Sequence, residues 1–194
     1  MKKGRSSSKG HAFERHICRT LSLWWTDGER DDVFSRTSSS GAQATQRSQF
    51  GKKTFGQYGD IQAADPIGQP LLDLFIIECK DGYAGDSFSD MFDCLPRHNP
   101  KYLQFIHQAQ QEAKEAGKPS WMLIARRRGR QIMIFFPRDM KRISPLFAMT
   151  NRSPYARLYL EGEVLIVTSL KRFLKVVTPE QIKNMLHSLK YDEK

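Results

Sequence analysis

Apolar residues recur at helical spacing near both ends of the chain. Between Lys9 and Trp25 they fall every three or four positions, which predicts a first helix; they are Phe13, Ile17, Leu21 and Trp24. Near the other end, Thr178 and Gln181 have the spacing of a capping box, and apolar residues follow it at helical intervals. The second pattern predicts a last helix.

Continuous apolar runs predict strands between these helices. The stretch from Leu71 to Lys80 is apolar at both alternating positions, as expected of a strand covered on both faces. The turn residues DPIGQP, at 65–70, predict a hairpin between this strand and GDIQAA before it. Two more strands flank RRRGR, at 126–130, and the segment 157–177 predicts further strand material.

A middle helix completes the pattern. Asn99 and Pro100 read as its N-cap and first position, and Gly117 closes it after Ala116. The order helix, strands, helix, strands, helix predicts an α/β or α+β fold with a mixed β-sheet flanked by helices, and we adopt the α/β class. The 194 residues fit a single domain at 10–194, with a core at 10–137 and added strands and a helix at 138–194.

Two polar segments lie outside this pattern. Met1 to Lys9 is basic and rich in serine, so we expect a flexible arm that could follow a phosphate backbone. Thr26 to Gly59 holds almost no large apolar residue, which predicts a long surface loop. A loop of that length in a compact domain is usually functional or disordered.

The net charge of +10 makes nucleic acid the leading partner class, ahead of an anionic membrane surface or a merely soluble basic protein. Cys18, Cys79 and Cys94 are far apart and form no CxxC pair, and the five histidines form no HxH or HExxH pair. A disulfide framework and a zinc site are therefore not indicated. The first residues lack the apolar core of a signal peptide, and no apolar run is long enough for a membrane span. We expect a cytoplasmic protein with no membrane segment.

The end of the central strand carries candidate chemistry. Side chains alternate across a strand, so Glu78 and Lys80 share a face while Cys79 points to the other. Antiparallel pairing across the predicted hairpin would bring Asp60 towards Glu78. Two clustered carboxylates suit a hard cation such as Mg²⁺, with Lys80 orienting or deprotonating a water. The alternative is an ordinary ion pair between Glu78 and Lys80.

Glu14 is a third candidate acid. It lies three, four and seven residues before Ile17, Cys18 and Leu21, at the margin of the helix face that would pack on the sheet. The alternative is a solvated glutamate paired with Lys9 or Arg19.

Four motifs, KGHAFERHI, RTSSSG, GDI and ECK, together resemble the PD-(D/E)XK nuclease superfamily. Within it they are similar to archaeal-type Holliday junction resolvases and related phage-encoded endonucleases, over Lys9 to Pro137. The resemblance implies a restriction-endonuclease-like fold, a divalent cofactor that is Mg²⁺ or alternatively Mn²⁺, and a DNA substrate. Branched DNA and a homodimer are implied by the resolvases in particular.

The same resemblance assigns site residues. Glu14, Asp60, Glu78 and the backbone carbonyl of Cys79 would hold the metal, and Lys80 would assist the attacking water. A glutamine on the helix after the ExK strand would support the site. Gln108 is the best match, with Gln104 and Gln111 as rivals.

Basic and hydroxyl side chains form the predicted DNA contacts. Those of the hairpin tip are Arg126, Arg127, Arg128 and Arg130, and those of the long loop are Arg36, Ser38, Ser39, Ser40, Lys52 and Lys53. Another acidic set could hold a second cation or simply be a solvated helix face; it is formed by Asp86, Asp90 and Asp93. Trp24 and Trp25 are expected in the core or at a subunit interface, with stacking on an unpaired base as the alternative.

These features predict a metal-dependent DNA endonuclease that is structure-selective in the manner of a junction resolvase. The alternatives are a phage or mobile-element endonuclease on ordinary duplex or single strands, and a non-catalytic DNA-binding scaffold. The chain departs from compact resolvases in its long loop before Asp60, its acidic insert after Lys80 and its added elements after Pro137. These departures leave the substrate open.

Overall fold

The computed structural model describes residues 4–37, 58–83, 85, 87, 89, 100–138 and 156–192. In these ranges the helices are α1 (Gly4–Trp25), α2 (Gln69–Leu74), α3 (Lys101–Glu115), α4 (Leu170–Val176) and α5 (Pro179–Asp192). The strands are β1 (Phe34–Arg36), β2 (Ile61–Ala63), β3 (Phe75–Gly82), β4 (Ser120–Arg127), β5 (Ile132–Pro137), β6 (Ala156–Leu160) and β7 (Glu163–Ser169).

Five strands form one mixed sheet in the order β3-β4-β5-β7-β6. Strands β3 and β4 run parallel, while the other neighbours pair antiparallel. A parallel pair needs a crossover connection, and α3 supplies it between β3 and β4. This mixed sheet with flanking helices confirms the predicted α/β, restriction-endonuclease-like fold.

Helices cover both faces of the sheet, as the apolar strand pattern predicts. On one face α1 and the C-terminal helices pack over Ile77, Cys79 and Ile124. On the other face α3 packs over Ile76 and Leu123. Successive residues of β3 therefore enter different cores, which is why the strand is apolar at every position up to Glu78.

Helix α1 begins at Gly4, earlier than the predicted start near Lys9. Most of the predicted flexible arm thus lies in its first turns; the segment contains no proline, and serine and lysine are compatible with a helix. The core positions agree with the prediction, since Phe13, Ile17 and Leu21 are buried. No helix in the described part of the chain is both long and apolar enough to cross a membrane.

The tryptophans that end α1 belong to the core. Trp24 donates from Nε1 to the Val177 carbonyl at 3.1 Å, and Trp25 donates to the Ile67 carbonyl at 2.7 Å. Both indoles therefore join distant segments of this chain, in agreement with the core assignment.

The predicted hairpin across DPIGQP is wrong. Residues Pro66–Gly68 form a short 3₁₀ helix, with the Asp65 side chain accepting from the Ile67 N–H at its start, and α2 follows directly. Proline is favoured in the first turn of a helix as well as in turns, so the same residues start helical segments here. Strand β2 pairs instead with β1, in the register Arg36↔Ile61.

Two predicted element boundaries differ from those in the structure. Pro100 is the N-cap of α3 and not its first helical residue. The predicted strand material at 157–177 ends at Ser169, whose hydroxyl accepts from the Arg172 N–H at 3.3 Å and starts α4. The hairpin around RRRGR is confirmed by the pairing of β4 with β5, and the capping box of Thr178 and Gln181 is confirmed at 2.8 and 3.3 Å.

Candidate active site

Glu78 and Lys80 lie on the α3 face of β3, as strand alternation predicts. The Lys80 ammonium is 2.9 Å from Glu78 Oε2, and only 2 % of Glu78 is exposed. The same ammonium lies 5.5 Å from the centre of the Phe105 ring on α3. The pair is therefore held in the interior of the protein, where an ion pair is screened less than at the surface.

Asp60 reaches β3 without the hairpin. It lies in the bend before β2, and its backbone N–H donates to the Ile77 carbonyl at 2.9 Å. Its Oδ2 accepts from the backbone N–H of Cys79 at 2.8 Å. The N–H and C=O of one strand residue point to the same side, so the Cys79 carbonyl faces Asp60 too. The edge of the sheet thus brings together Asp60, Glu78 and this carbonyl.

The glycine of the GDI motif allows this close approach. Gly59 has a φ of 73°, a conformation that side chains rarely adopt. A Cβ atom at this position would lie 3.0 Å from the Ile77 carbonyl oxygen and 3.2 Å from the Ile77 nitrogen. Only glycine lets the chain pass so near β3 in this geometry.

Glu14 is buried, so its solvated alternative is wrong. It extends from α1 and forms an ion pair with the Arg36 guanidinium at the end of β1. Arg19, one of the two suggested partners beside Lys9, pairs with Asp31 instead. Glu14 is close enough to Asp60 for its charge to act on the Asp60 carboxyl.

Burial dominates the acid–base properties of the cluster. It raises the pKa of Asp60 to about 6, against the lowering effects of the Cys79 N–H and of Lys80. Burial and then the Asp60 charge raise the pKa of Glu78 well above its usual value. Burial would lower the pKa of Lys80, but Glu78 and Asp60 outweigh it and the pKa is raised. Lys80 is thus held as an ammonium ion.

The structure also brings Gln108 to the site. Its Nε2 donates to Glu78 Oε2 at 3.2 Å, whereas Gln104 accepts from Lys101 and Gln111 donates to Glu115. The bond from Gln108 to the ExK glutamate supports Gln108 as the best match among the three glutamines named from the sequence.

Glu112 is a site residue that sequence reasoning missed. Its Oε2 accepts from the Gly59 N–H at 2.8 Å and its Oε1 accepts from Gln108 at 2.9 Å. The available signal was its position one turn after Gln108 and beside the buried Ala113, at the margin of the α3 apolar face. The same marginal position had marked Glu14 on α1.

The cysteines near the site are free and buried. Burial raises the pKa of Cys18 to about 12 and holds the pKa of Cys79 well above its usual value. Neutral thiols are poor nucleophiles and poor metal ligands. The two side chains therefore act as core residues.

The predicted DNA contacts divide into several groups. Arg36 is engaged by Glu14. Arg126 makes two hydrogen bonds to Asp81, at 2.9 and 3.0 Å, and lies over the Phe13 ring. At the hairpin tip Arg128 and Arg130 are exposed, and Arg127 is half-buried. The other predicted residues lie outside the described ranges; they are Ser38, Ser39, Ser40, Lys52, Lys53, and the acidic set Asp86, Asp90 and Asp93.

The donor chemistry fits a hard divalent cation. Among the described residues, no three side chains of His, Cys, Asp or Glu stand together as a preformed cation site. Ion pairs explain this in part, because Arg36 holds Glu14 and Lys80 holds Glu78. Four carboxyl groups belong to this cluster, those of Glu14, Asp60, Glu78 and Glu112, and the charges of Glu14 and Glu112 both act on Asp60. Such an oxygen-only, anionic set suits Mg²⁺ or Mn²⁺ and does not suit a thiol-bound metal.

Comparison with known proteins gives a family. The model of the phage putative PDDEXK endonuclease family matches residues 5–184. Neither the curated proteins nor the solved structures gave a significant match. The matched span runs from the first turn of α1 into α5, so it includes every site residue described above. The chain therefore belongs to this phage PDDEXK endonuclease family, and it is a nuclease of the PD-(D/E)XK superfamily.

Proposed function

We propose that the chain is a divalent-metal-dependent DNA endonuclease that hydrolyses phosphodiester bonds at the cluster of Asp60 and Glu78. The observation that carries this proposal is the bond from the Cys79 N–H to the Asp60 carboxylate. It sets an aspartate beside the residues of an ExK motif although the two segments are not paired strands.

The metal would be held by Glu14, Asp60, Glu78 and the backbone carbonyl of Cys79. Mg²⁺ is the expected ion and Mn²⁺ the alternative, because both prefer carboxylate, carbonyl and water oxygens. When bound, such an ion polarises the phosphate and makes a coordinated water more acidic. Glu14 would have to exchange its partner Arg36 for the ion, which would leave the guanidinium able to meet a DNA phosphate.

Lys80 and Gln108 are proposed as the remaining catalytic side chains. The Lys80 ammonium would orient the attacking water and offset the negative charge that grows on the phosphate. Its raised pKa supports this role over that of a base. Gln108 would keep Glu78 in one orientation through their hydrogen bond.

Basic residues would bring the DNA to this site. Arg128 and Arg130 are exposed at the tip of the β4–β5 hairpin, and β4 runs parallel to the site strand β3. Phosphate contacts of this kind give affinity without reading sequence. The proposed contacts also include Arg127, together with Arg36 and Arg126, which are paired with Glu14 and Asp81 in this structure. The contacts proposed on the sequence alone are those of Ser38, Ser39, Ser40, Lys52 and Lys53.

Selectivity for branched DNA is the finer form of the proposal, and it rests on the resemblance to resolvases. It requires a homodimer, because a two-fold assembly presents two equivalent sites for symmetric cuts. A cytoplasmic location is proposed on a separate basis, the three scattered cysteines, which form no CxxC pair and suit a reducing compartment. Ordinary duplex or single-stranded DNA, and binding without cleavage, remain the competing functions.

One experiment separates these functions. Labelled four-way junction, matching duplex and single strand are incubated with the protein and Mg²⁺, Mn²⁺ or EDTA, beside the Asp60→Asn variant. Metal-dependent paired nicks confined to the junction would establish a resolvase, and cutting of all three DNAs would establish a general endonuclease. Binding without any cutting would overturn the enzyme proposal in favour of a scaffold.

A further inference from the structure

We propose that Glu112 is a positioning residue that fixes Asp60 and Glu78 relative to each other from helix α3. This inference rests on the proposed nuclease site, since it concerns the spacing of the two acids of that site. The charge of Glu112 acts on both acids, and its hydrogen bonds go to their neighbours. Glu112 acts through Gly59 on one side and Gln108 on the other.

The first arm of this connection runs to Asp60. Glu112 Oε2 accepts the Gly59 N–H at 2.8 Å, and Gly59 precedes Asp60 directly. The next N–H of the chain, that of Asp60, donates to the Ile77 carbonyl of β3. Two successive amides are thus held by two different elements, α3 and β3, at the point where the Asp60 side chain leaves the backbone.

The second arm runs to Glu78. Glu112 Oε1 accepts from Gln108 Nε2 at 2.9 Å, and the same amide nitrogen donates to Glu78 Oε2 at 3.2 Å. An amide NH₂ has two hydrogens, so one side chain can serve both carboxylates. Gln108 and Glu112 are four residues apart, which places them on the same helix face.

The connection requires a carboxylate at position 112. Both of its oxygens accept, one from a backbone N–H and the other from an amide NH₂. A glutamine there has only one acceptor oxygen, so it would keep one arm and face the other donor with its own NH₂. Glu112→Gln is therefore nearly isosteric with the native residue but breaks one of the two arms.

The same helix offers a matched control. Gln111 donates to Glu115 at 2.7 Å with the same four-residue spacing, and both side chains are exposed. Glu115→Gln removes the same charge from an equivalent pair that has no contact with Gly59 or Gln108 in the described structure. A loss caused only by helix stability or by the total charge of the protein would appear in both variants. The charge of Glu112 also acts on Asp60 and Glu78, and Gln108→Ala separates this effect, because it breaks the second arm and keeps that charge.

The test measures three quantities on Glu112→Gln, Gln108→Ala, their double variant and Glu115→Gln. Hydrogen exchange of the Gly59 amide reports on the first arm, Mn²⁺ titration on the spacing of the acids, and cleavage on the reaction. We expect Glu112→Gln to bind Mn²⁺ about 10–100-fold more weakly, with a lower kcat and an unchanged KM for DNA. Removing Gln108 as well should add little, because the two residues act as one unit. Glu115→Gln should match the wild type.

Two outcomes would overturn different statements. If the wild type cleaves DNA while Glu112→Gln keeps both its Gly59 protection and its Mn²⁺ affinity, Glu112 is not a positioning residue. If Glu115→Gln loses as much as Glu112→Gln, the effect is one of general stability, and the inference is also wrong. If the wild type neither binds Mn²⁺ nor cleaves, the proposed function fails, whereas Gly59 exchange still decides whether Glu112 holds the turn.

Discussion

The Asp60 carboxylate is bonded to the backbone N–H of Cys79, and this N–H belongs to the residue between Glu78 and Lys80. A side chain from an irregular segment thereby takes the place of a neighbouring strand at the edge of the sheet. Asp60 is thus joined to β3 at two points, by this bond and by its own N–H, which donates to the Ile77 carbonyl at 2.9 Å.

Removal of either acid should abolish cleavage. We expect Asp60→Asn and Glu78→Gln to lower kcat by at least about 10²–10³-fold, with DNA affinity kept or increased because negative charge near the phosphates is removed. Nicking of labelled duplex with Mg²⁺, and binding in EDTA, measure the two effects. Exposed Glu115 provides the control as Glu115→Gln. Cleavage at the wild-type rate by Asp60→Asn would show that the site is elsewhere.

Without a cation, Asp60→Asn should be more stable than the wild type at neutral pH. Burial raises the pKa of Asp60 from 3.8 to about 6, so the folded protein binds more protons than the unfolded chain between these values. The favourable contribution of the protonated carboxyl is complete below about pH 3.8 and is lost as the pH rises through about 6. We expect the free energy of unfolding of Asp60→Asn, relative to that of the wild type, to rise by roughly 1–3 kcal/mol when the pH is raised from 4 to 8. Urea unfolding in EDTA at both pH values measures this gain, and an equal difference at both would contradict it.

Divalent cations should stabilise the protein more strongly at alkaline pH. The ion requires ionised carboxylates, and burial opposes this ionisation: it raises the pKa of Asp60 to about 6 and that of Glu78 well above its usual value. A ligand that binds only the folded state adds RT ln(1 + [L]/Kd) to the free energy of unfolding, so tighter binding at a given concentration gives a larger rise in melting temperature. The rise in melting temperature caused by about 5 mM Mn²⁺ should therefore be larger at pH 8 than at pH 5.5. Equal shifts, or a shift that survives in Asp60→Asn, would argue against binding at this cluster.

Gly59→Ala should damage the site more than an equivalent change elsewhere. The new Cβ would meet the Ile77 backbone at 3.0 Å, in addition to the strain of a positive φ. We expect a loss of roughly 2–4 kcal/mol of stability and most of the activity. Gly117→Ala is the control, because Gly117 has a φ of 63° at the end of α3 and no described atom within 4 Å of the added Cβ. It should lose about 1 kcal/mol and keep its activity; equal effects of the two changes would contradict the proposed close contact.

The arginines of the β4–β5 hairpin should separate into two classes. Arg128→Ala and Arg130→Ala should weaken DNA binding and lower the salt dependence by about one counterion each, with the fold unchanged. Arg126→Ala should instead lower stability, because its guanidinium bonds to Asp81 and lies over Phe13. Salt titrations of binding and thermal unfolding of the three variants measure these effects. A normal salt dependence in Arg128→Ala would remove that residue from the DNA surface.

Local patterns predicted the elements well because each depends on nearby residues. The spacing of Phe13, Ile17 and Leu21 identified α1, and strand alternation placed Glu78 and Lys80 on one face. DPIGQP was ambiguous, since proline and glycine begin a helix as readily as they form a turn. Asp60 was assigned to the correct neighbourhood through a hairpin that does not exist.

The remaining parts of the site depend on contacts between distant segments. Arg36 meets Glu14 across 22 positions of sequence, and Glu112 meets Gly59 across 53. Nothing in the local sequence around either residue states which partner lies opposite. The family motif locates the acids, but the side chains that hold them are found only when α1, β1 and α3 are packed around the sheet.

Thr37 has a consequence for how this nuclease can change. Its N–H donates to the Asp60 carbonyl at 3.1 Å, and its hydroxyl donates to the Gly59 carbonyl at 2.9 Å. These two hydrogen bonds hold Thr37 next to Gly59 and Asp60, so the two ends of the intervening sequence lie side by side. Residues added to or removed from the intervening sequence need not alter the distance between these ends. The length of that stretch can therefore change between related chains while the candidate acids keep their spacing.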